Sequence, residues 1–154
     1  MDFHQTFAIS AAGMTVERTR VDVAALNLAN ANTVQSTSGQ PYQALRVVSR
    51  PGEAAPAGRF FDLVNTGLES PSAAGIASLV PTATVVSAGT APRSVYEPGH
   101  PLADAKGFVA YAGVDVATEM VSLMSSSRAY EANVAVMNTT RSLALKALDI
   151  GGGN

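Results

Sequence analysis

A chain of 154 residues is about one domain of sequence, with room for a small appended lobe. Its apolar share, 47%, is ordinary, but only 14% of its residues are charged, against roughly 25% in typical soluble domains. A surface this poor in charge points to one that is covered in an assembly. The net charge of −2 comes from scattered residues and leaves no nucleic-acid footprint; the lack of cysteine removes disulfides, thiol catalysis and cysteine-bound metals.

The first residues do not read as a secretory signal. Asp2 stands where a basic segment is needed, and His4, Gln5 and Thr6 break any apolar run. Asp2 and Gln5 instead have the spacing of a capping box, with Asp in place of Ser or Thr. A helix is predicted from there. Phe7, Met14, Val21 and Leu28 recur every seven residues and share one face. Ile9, Val16 and Val23 recur at the same period, offset by two positions, roughly 200° around the helix. A helix with two apolar stripes needs neighbours on both sides. Gly13 inside it permits a close backbone approach. The run ends in "LNLANANT", where Asn27, Asn30 and Asn32 suit both a left-handed helix stop and uncharged hydrogen bonding at an interface.

The middle of the chain has a different texture. "QPYQALRVVSRPG", "TATVVSAG" and "GFVAYAG" are candidate strands, and Pro98-Gly99 marks a tight turn. Between the first two candidates, Pro51, Pro56, Pro71 and Pro81 occur among Ala, Gly and Ser around one apolar patch, "RFFDLV", which reads as a loop with Phe60 and Phe61 tucked down. The uncharged stretch from Glu69 to Arg93 is broken by prolines, so no membrane insertion is expected.

A second long helix is predicted over 115–149. Asp115 is a suitable N-cap, and Glu119 falls in the first turn, where negative charge suits the helix dipole. Val116, Met120, Leu123, Ser127, Tyr130, Val134, Met137, Arg141, Ala144 and Leu148 step by fours and threes, a heptad seam with Ser127 and Arg141 off pattern. Met14, Met120, Met124 and Met137 lie on or beside the apolar stripes, where they serve equally as core filling or as adaptable interface packing.

Candidate chemistry is sparse. Glu97, His100 and Asp104 could be offered as metal ligands, but their spacing fits no standard signature. Ser125, Ser126 and Ser127 have no histidine near enough in sequence to activate them. Gly151, Gly152 and Gly153 follow a helix instead of opening one, so they do not form a phosphate loop. Neither catalytic activity nor a cofactor is expected.

Two blocks carry a family resemblance. "AALNLANANT" resembles the shared N-terminal signature of bacterial flagellar rod and hook proteins. The stretch from Ser94 to Gly151, "SVYEPGHPLADAKGFVAYAGVDVATEMVSLMSSSRAYEANVAVMNTTRSLALKALDIG", is similar nearly end to end to the C-terminal half of basal-body rod proteins of the proximal rod. "GQPYQALRVV" matches the short strand after that family's first helix. The chain departs from the family in having Ala112-Gly113 where Pro-Asn is usual, and in a longer segment over about 51–92.

The resemblance implies a mainly α fold with a small β part. Its long N- and C-terminal helices would pair as an antiparallel coiled coil, a discontinuous assembly domain of residues 1–34 and 113–151. Residues 35–112 would form a small β-rich insert holding the Pro/Ala-rich loop at about 51–82. It also implies a structural rod subunit, exported without a cleaved signal by the flagellar type III apparatus into the periplasmic space. Its partners would be itself, other rod proteins and the membrane-ring and export-gate base of the rod. The expected assembly residues are Phe7, Met14, Val21 and Leu28 against the seam Val116, Met120, Leu123, Tyr130, Val134 and Met137 within the subunit. Ile9, Val16 and Val23 are expected to face neighbouring subunits, with Asn27, Asn30 and Asn32 bonding them at the helix exit. The rival readings are another rod or hook subunit and a soluble helical secretion chaperone or adaptor.

Overall fold

The computed structural model describes residues 3–34, 41–50 and 80–151. It is mainly helical, with small antiparallel strands between two long helices. The Asp2–Gln5 capping box and the loop patch around Phe60 and Phe61 lie outside the described residues.

The first helix, α1, runs Phe3–Asn30, and the last, α2, runs Val116–Gly151. Their apolar residues are spread almost evenly around each axis, so neither has the single apolar face of an ordinary surface helix. The start of α2 is capped as the sequence predicts. Asp115 Oδ1 accepts from the Ala117 amide at 3.1 Å, and Oδ2 accepts from the Thr118 hydroxyl at 2.7 Å.

Between the helices lie β1 (Leu45–Arg50), β2 (Thr82–Ser87), β3 (Arg93–Tyr96) and β4 (Phe108–Tyr111). Three match the strands read from the sequence; β3 was not anticipated. "RSVY" is only four residues long, and Val95 alone among them is half-buried, so it lacks the alternation that marks a strand. β1 pairs with β2. The Ala88 amide donates to the Ala44 carbonyl at 2.7 Å and the Thr84 hydroxyl to the Val48 carbonyl at 3.3 Å, which is the antiparallel sense.

β3 and β4 form an antiparallel hairpin in which Arg93 faces Tyr111 and Tyr96 faces Phe108. The Tyr96 and Phe108 rings meet edge to face at 5.4 Å. Pro98-Gly99 forms the expected turn, closed by the His100 amide on the Glu97 carbonyl at 3.0 Å. Gly107 closes the hairpin loop at φ +81°, and a Cβ there would press on the Tyr96 ring and on Pro98. Only glycine meets both conditions.

The chain forms two compact units. One comprises Met1–Arg18, Ser49–Ala83 and Arg128–Asn154. Among its described residues the buried side chains are Ser10, Val16 and Thr140, and Gly13 lies directly against Asn133. The other comprises Thr19–Val48 and Thr84–Ser127. It buries Val23, Ala24, Asn27, Ala31, Ala44, Val109, Ala112 and Ser126. Among the described residues the buried side chains are mainly small or polar, and Val109 and Asn27 are the largest that are wholly buried.

Candidate functional site

The "LNLANANT" cluster resolves into three separate roles. Asn27 is wholly enclosed, at 0% exposure. Its Oδ1 accepts from the Leu45 amide and from the Tyr42 hydroxyl, each at 2.9 Å. Its Nδ2 donates to the Leu45 carbonyl at 2.8 Å and to Glu119 Oε1 at 2.9 Å. One carboxamide thus fills both lone pairs and both donors, the full capacity of the group. It joins α1, the approach to β1 and the first turn of α2. Burial, and then the Glu119 charge, hold the Tyr42 phenol above its ordinary pKa.

Asn30 ends the helix. Its Nδ2 donates back to the Leu26 carbonyl at 2.9 Å, and its own carbonyl accepts from the Thr33 amide and hydroxyl. No non-glycine residue among those described has a positive φ, so the helix stops without the left-handed asparagine expected. The side-chain bond and the tight turn do that work instead. Asn32 is exposed. Just beyond it the Ala112 amide donates to the Thr33 carbonyl at 3.2 Å, fastening the exit of α1 to the end of β4.

The turn into α2 is also explained. A Cβ on Gly113 would collide with the Ala91 carbonyl oxygen, so glycine is needed there for a close backbone approach. Glu97, His100 and Asp104 do not converge. The Glu97 carboxylate accepts from the Tyr111 hydroxyl at 3.0 Å, which raises the phenol's pKa. His100 Nδ1 accepts from the Leu102 amide, and Asp104 Oδ1 accepts from the Lys106 and Phe108 amides. Among the described residues, no group of three His, Asp or Glu side chains is placed to hold a metal ion.

The apolar stripes do not face as expected. Val16 and Val23, assigned to neighbouring subunits, are 5% and 6% exposed and are buried within the chain; Ile9 alone of that stripe is exposed. Phe7, Met14, Val21 and Leu28 are half-buried. On α2, Leu123, Val134 and Met137 are half-buried, whereas Val116, Met120 and Tyr130 are exposed, Met120 at 55%. The inward positions are Glu119, Leu123 and Ser126 in one unit and Ala129, Asn133, Val134, Met137, Thr140 and Ala144 in the other. At Glu119, Ser126, Asn133 and Thr140 this seam sits one residue before the apolar one. One residue is a rotation of roughly 100°. At the start of α2 the reason is polar satisfaction: Glu119 turns in to meet Asn27, and Met120 is carried outward.

What faces out is therefore unusually apolar. Val116, Met120, Val121 and Met124 cluster within the first three turns of α2, all exposed. Val136, Leu143, Leu145, Leu148 and Ile150 are exposed further along it. No helix among the described residues is long and apolar enough to cross a membrane. Contiguous exposed apolar groups on a folded surface are the mark of an interaction face. The fold and this surface define a structural assembly protein: two long helices, a small β part between them in sequence, and a run of exposed apolar side chains on α2.

Comparison with known proteins specifies the assembly. Residues 105–150 match the family model for the C-terminal region of flagellar basal body rod FlgEFG proteins. The flagellar basal-body rod protein FlgC of Escherichia coli is 43% identical over 145 residues, covering 94% of this chain and 95% of its own. Its counterpart in Salmonella typhimurium is 41% identical over 149 residues, with 94% and 95% covered. That of Bacillus subtilis is 36% identical over 154 residues, with 97% of each covered. The chain belongs to the FlgC family of flagellar basal-body rod proteins, and its role is that of a structural subunit of the rod.

Proposed function

We propose that the chain is a subunit of the proximal rod that stacks helically with copies of itself and with other rod proteins. In that arrangement the rod is a drive shaft that carries torque to the hook and filament and encloses the export channel. The subunit reaches the periplasmic space through the flagellar type III apparatus without a cleaved signal, meets the membrane-ring and export-gate base, and acts without catalysis. The helical regions 1–34 and 113–151 serve as the assembly domain, with 35–112 as the inserted β region.

The observation that carries this reading is the outward placement of apolar bulk on α2, typified by Met120 and Met124 at 55% and 53% exposure. A lone subunit gains nothing from such a surface. Inside a polymer each of these half-covered methionines, removed from water, contributes on the order of 1 kcal/mol, and its flexible thioether adapts to neighbours that are not identical.

The test is genetic and biochemical. A strain lacking its own copy, complemented with this chain carrying a small epitope tag, should swim, and the tag should co-purify with isolated basal bodies in rod stoichiometry. Swimming cells whose basal bodies lack the tag would overturn the assignment, as would a protein held wholly in the cytoplasm.

A further inference from the structure

The interior around Asn27 offers little apolar packing to choose one alignment of the helices over another. Its neighbours on the inward face of α1 are Val23, Ala24 and Ala31, all small or of modest size. Yet Asn27 spends every hydrogen-bonding position on three segments far apart in sequence. A slip of one helical turn either way would put Val23 or Ala31 beside Glu119. Neither side chain has a donor, so the carboxylate and both backbone groups of Leu45 would lose their partner. The orientation of the carboxamide is itself fixed, because the Leu45 amide can meet only its oxygen and the Glu119 carboxylate only its nitrogen. Buried polar groups in helical seams are best attested as devices that set register.

We propose that Asn27 is a register-setting latch. Its carboxamide makes the pairing of α1 with the start of α2 and the docking of the Tyr42–Leu45 segment one cooperative event. Asn27 is a positioning residue: it selects one alignment of elements whose small side chains would tolerate several.

The test exchanges the two polar partners. Asn27→Asp keeps size and shape but turns a donor into a carboxylate oxygen facing Glu119. Glu119→Gln keeps an acceptor for Asn27 by itself, and in the Asn27→Asp background it supplies an amide that donates back across the seam. The readout is hydrogen exchange at the Leu45 amide of the full-length chain, which reports the latch directly. The Glu97 amide, bonded to Gly107 within the hairpin loop, is the internal control.

The latch requires that Glu119→Gln alone change Leu45 protection by less than about threefold. Asn27→Asp should lower it by roughly tenfold or more, and the double variant should recover a clear part of that loss. An Asn27→Asp chain that retains parental protection overturns the latch. So does a double variant no better protected than Asn27→Asp, which would make position 27 a matter of packing. A parent chain with an unprotected Leu45 amide overturns it as well. If Asn27→Asp also frees the Glu97 amide, the chain has unfolded broadly, and recovery in the double variant decides the matter.

Discussion

Gly13 lies against the side chain of Asn133: a Cβ built on the glycine would stand 3.0 Å from Asn133 Nδ2 and 3.3 Å from its Cγ. The pair defines how closely α1 and α2 approach in their unit. Alanine at position 13 gains helix propensity of about 1 kcal/mol but forces the carboxamide to give by a few tenths of an ångström. The two effects nearly cancel, so Gly13→Ala should shift stability by less than about 1 kcal/mol. Valine has no such compensation, and Gly13→Val should cost about 1–3 kcal/mol from overpacking. Urea unfolding of the two variants separates these outcomes, and equal stabilities would mean that the approach is not tight.

Asp115 gives the start of α2 a pH dependence. Its carboxyl titrates below the ordinary value of 3.8, chiefly because it accepts from the Thr118 hydroxyl and then from the Ala117 amide. A depressed folded-state pKa contributes stability that is fully present above pH 3.8 and is lost as pH falls through the lowered value. Protection of the Ala117 amide should therefore decline in acid below the usual carboxylate range. Asp115→Asn keeps the cap and should remove the decline, whereas Asp115→Ala should fray the first turn at every pH.

The alkaline side belongs to Tyr42. Burial first, and the Glu119 charge second, raise its pKa above the ordinary 10.0. The sign is opposite to that of Asp115. The contribution is complete below pH 10.0 and is lost as pH rises through the raised value, when the phenolate can no longer donate to Asn27. Absorbance titration of the phenols should show two components ionising later than free tyrosine, Tyr42 and Tyr111, of which Tyr42→Phe removes one. Tyr42→Phe should abolish the part of the alkaline stability loss that follows that component, and an unchanged alkaline profile would show that the phenol is solvated.

Much of this fold was legible from local rules. The extent of α1, the Asp115 cap, the Pro98-Gly99 turn and three of the four described strands follow from patterns that act over a few residues. The facing of the helices was not. Heptad reading assumes that larger apolar residues are buried first, and that assumption assigned Met120 and Val116 to the inside. Here the inside is chosen by partners distant in sequence: Glu119 meets Asn27, and Gly13 meets Asn133. One sequence signal did point there, since an asparagine in the last turns of an apolar helix needs a polar partner. Nothing local says whether that partner lies within the chain or outside it. The enclosure of Asn27 settles it in favour of the chain.

The burial of Val16 and the exposure of Met120 and Met124 yield the most discriminating prediction. Val16 is 5% exposed, and Val16→Asp would place a carboxylate among buried groups. It should destabilise the isolated chain by several kcal/mol and stop motility through loss of fold. Met120 and Met124 are exposed, and Glu has a helix propensity close to that of Met. The double variant Met120→Glu, Met124→Glu should therefore leave the folding of the purified chain within about 1 kcal/mol of the parent. In the rod the same carboxylates would be enclosed by a neighbour. Leaving a charge uncompensated at a buried contact costs about 3–5 kcal/mol, enough to keep the subunit out of basal bodies and the cells non-motile. Circular-dichroism melts of both proteins, set beside their recovery in basal bodies, check the two halves together. A motile strain carrying the double glutamate variant would remove this face of α2 from the assembly contacts. A stable Val16→Asp protein would return Val16 to the surface.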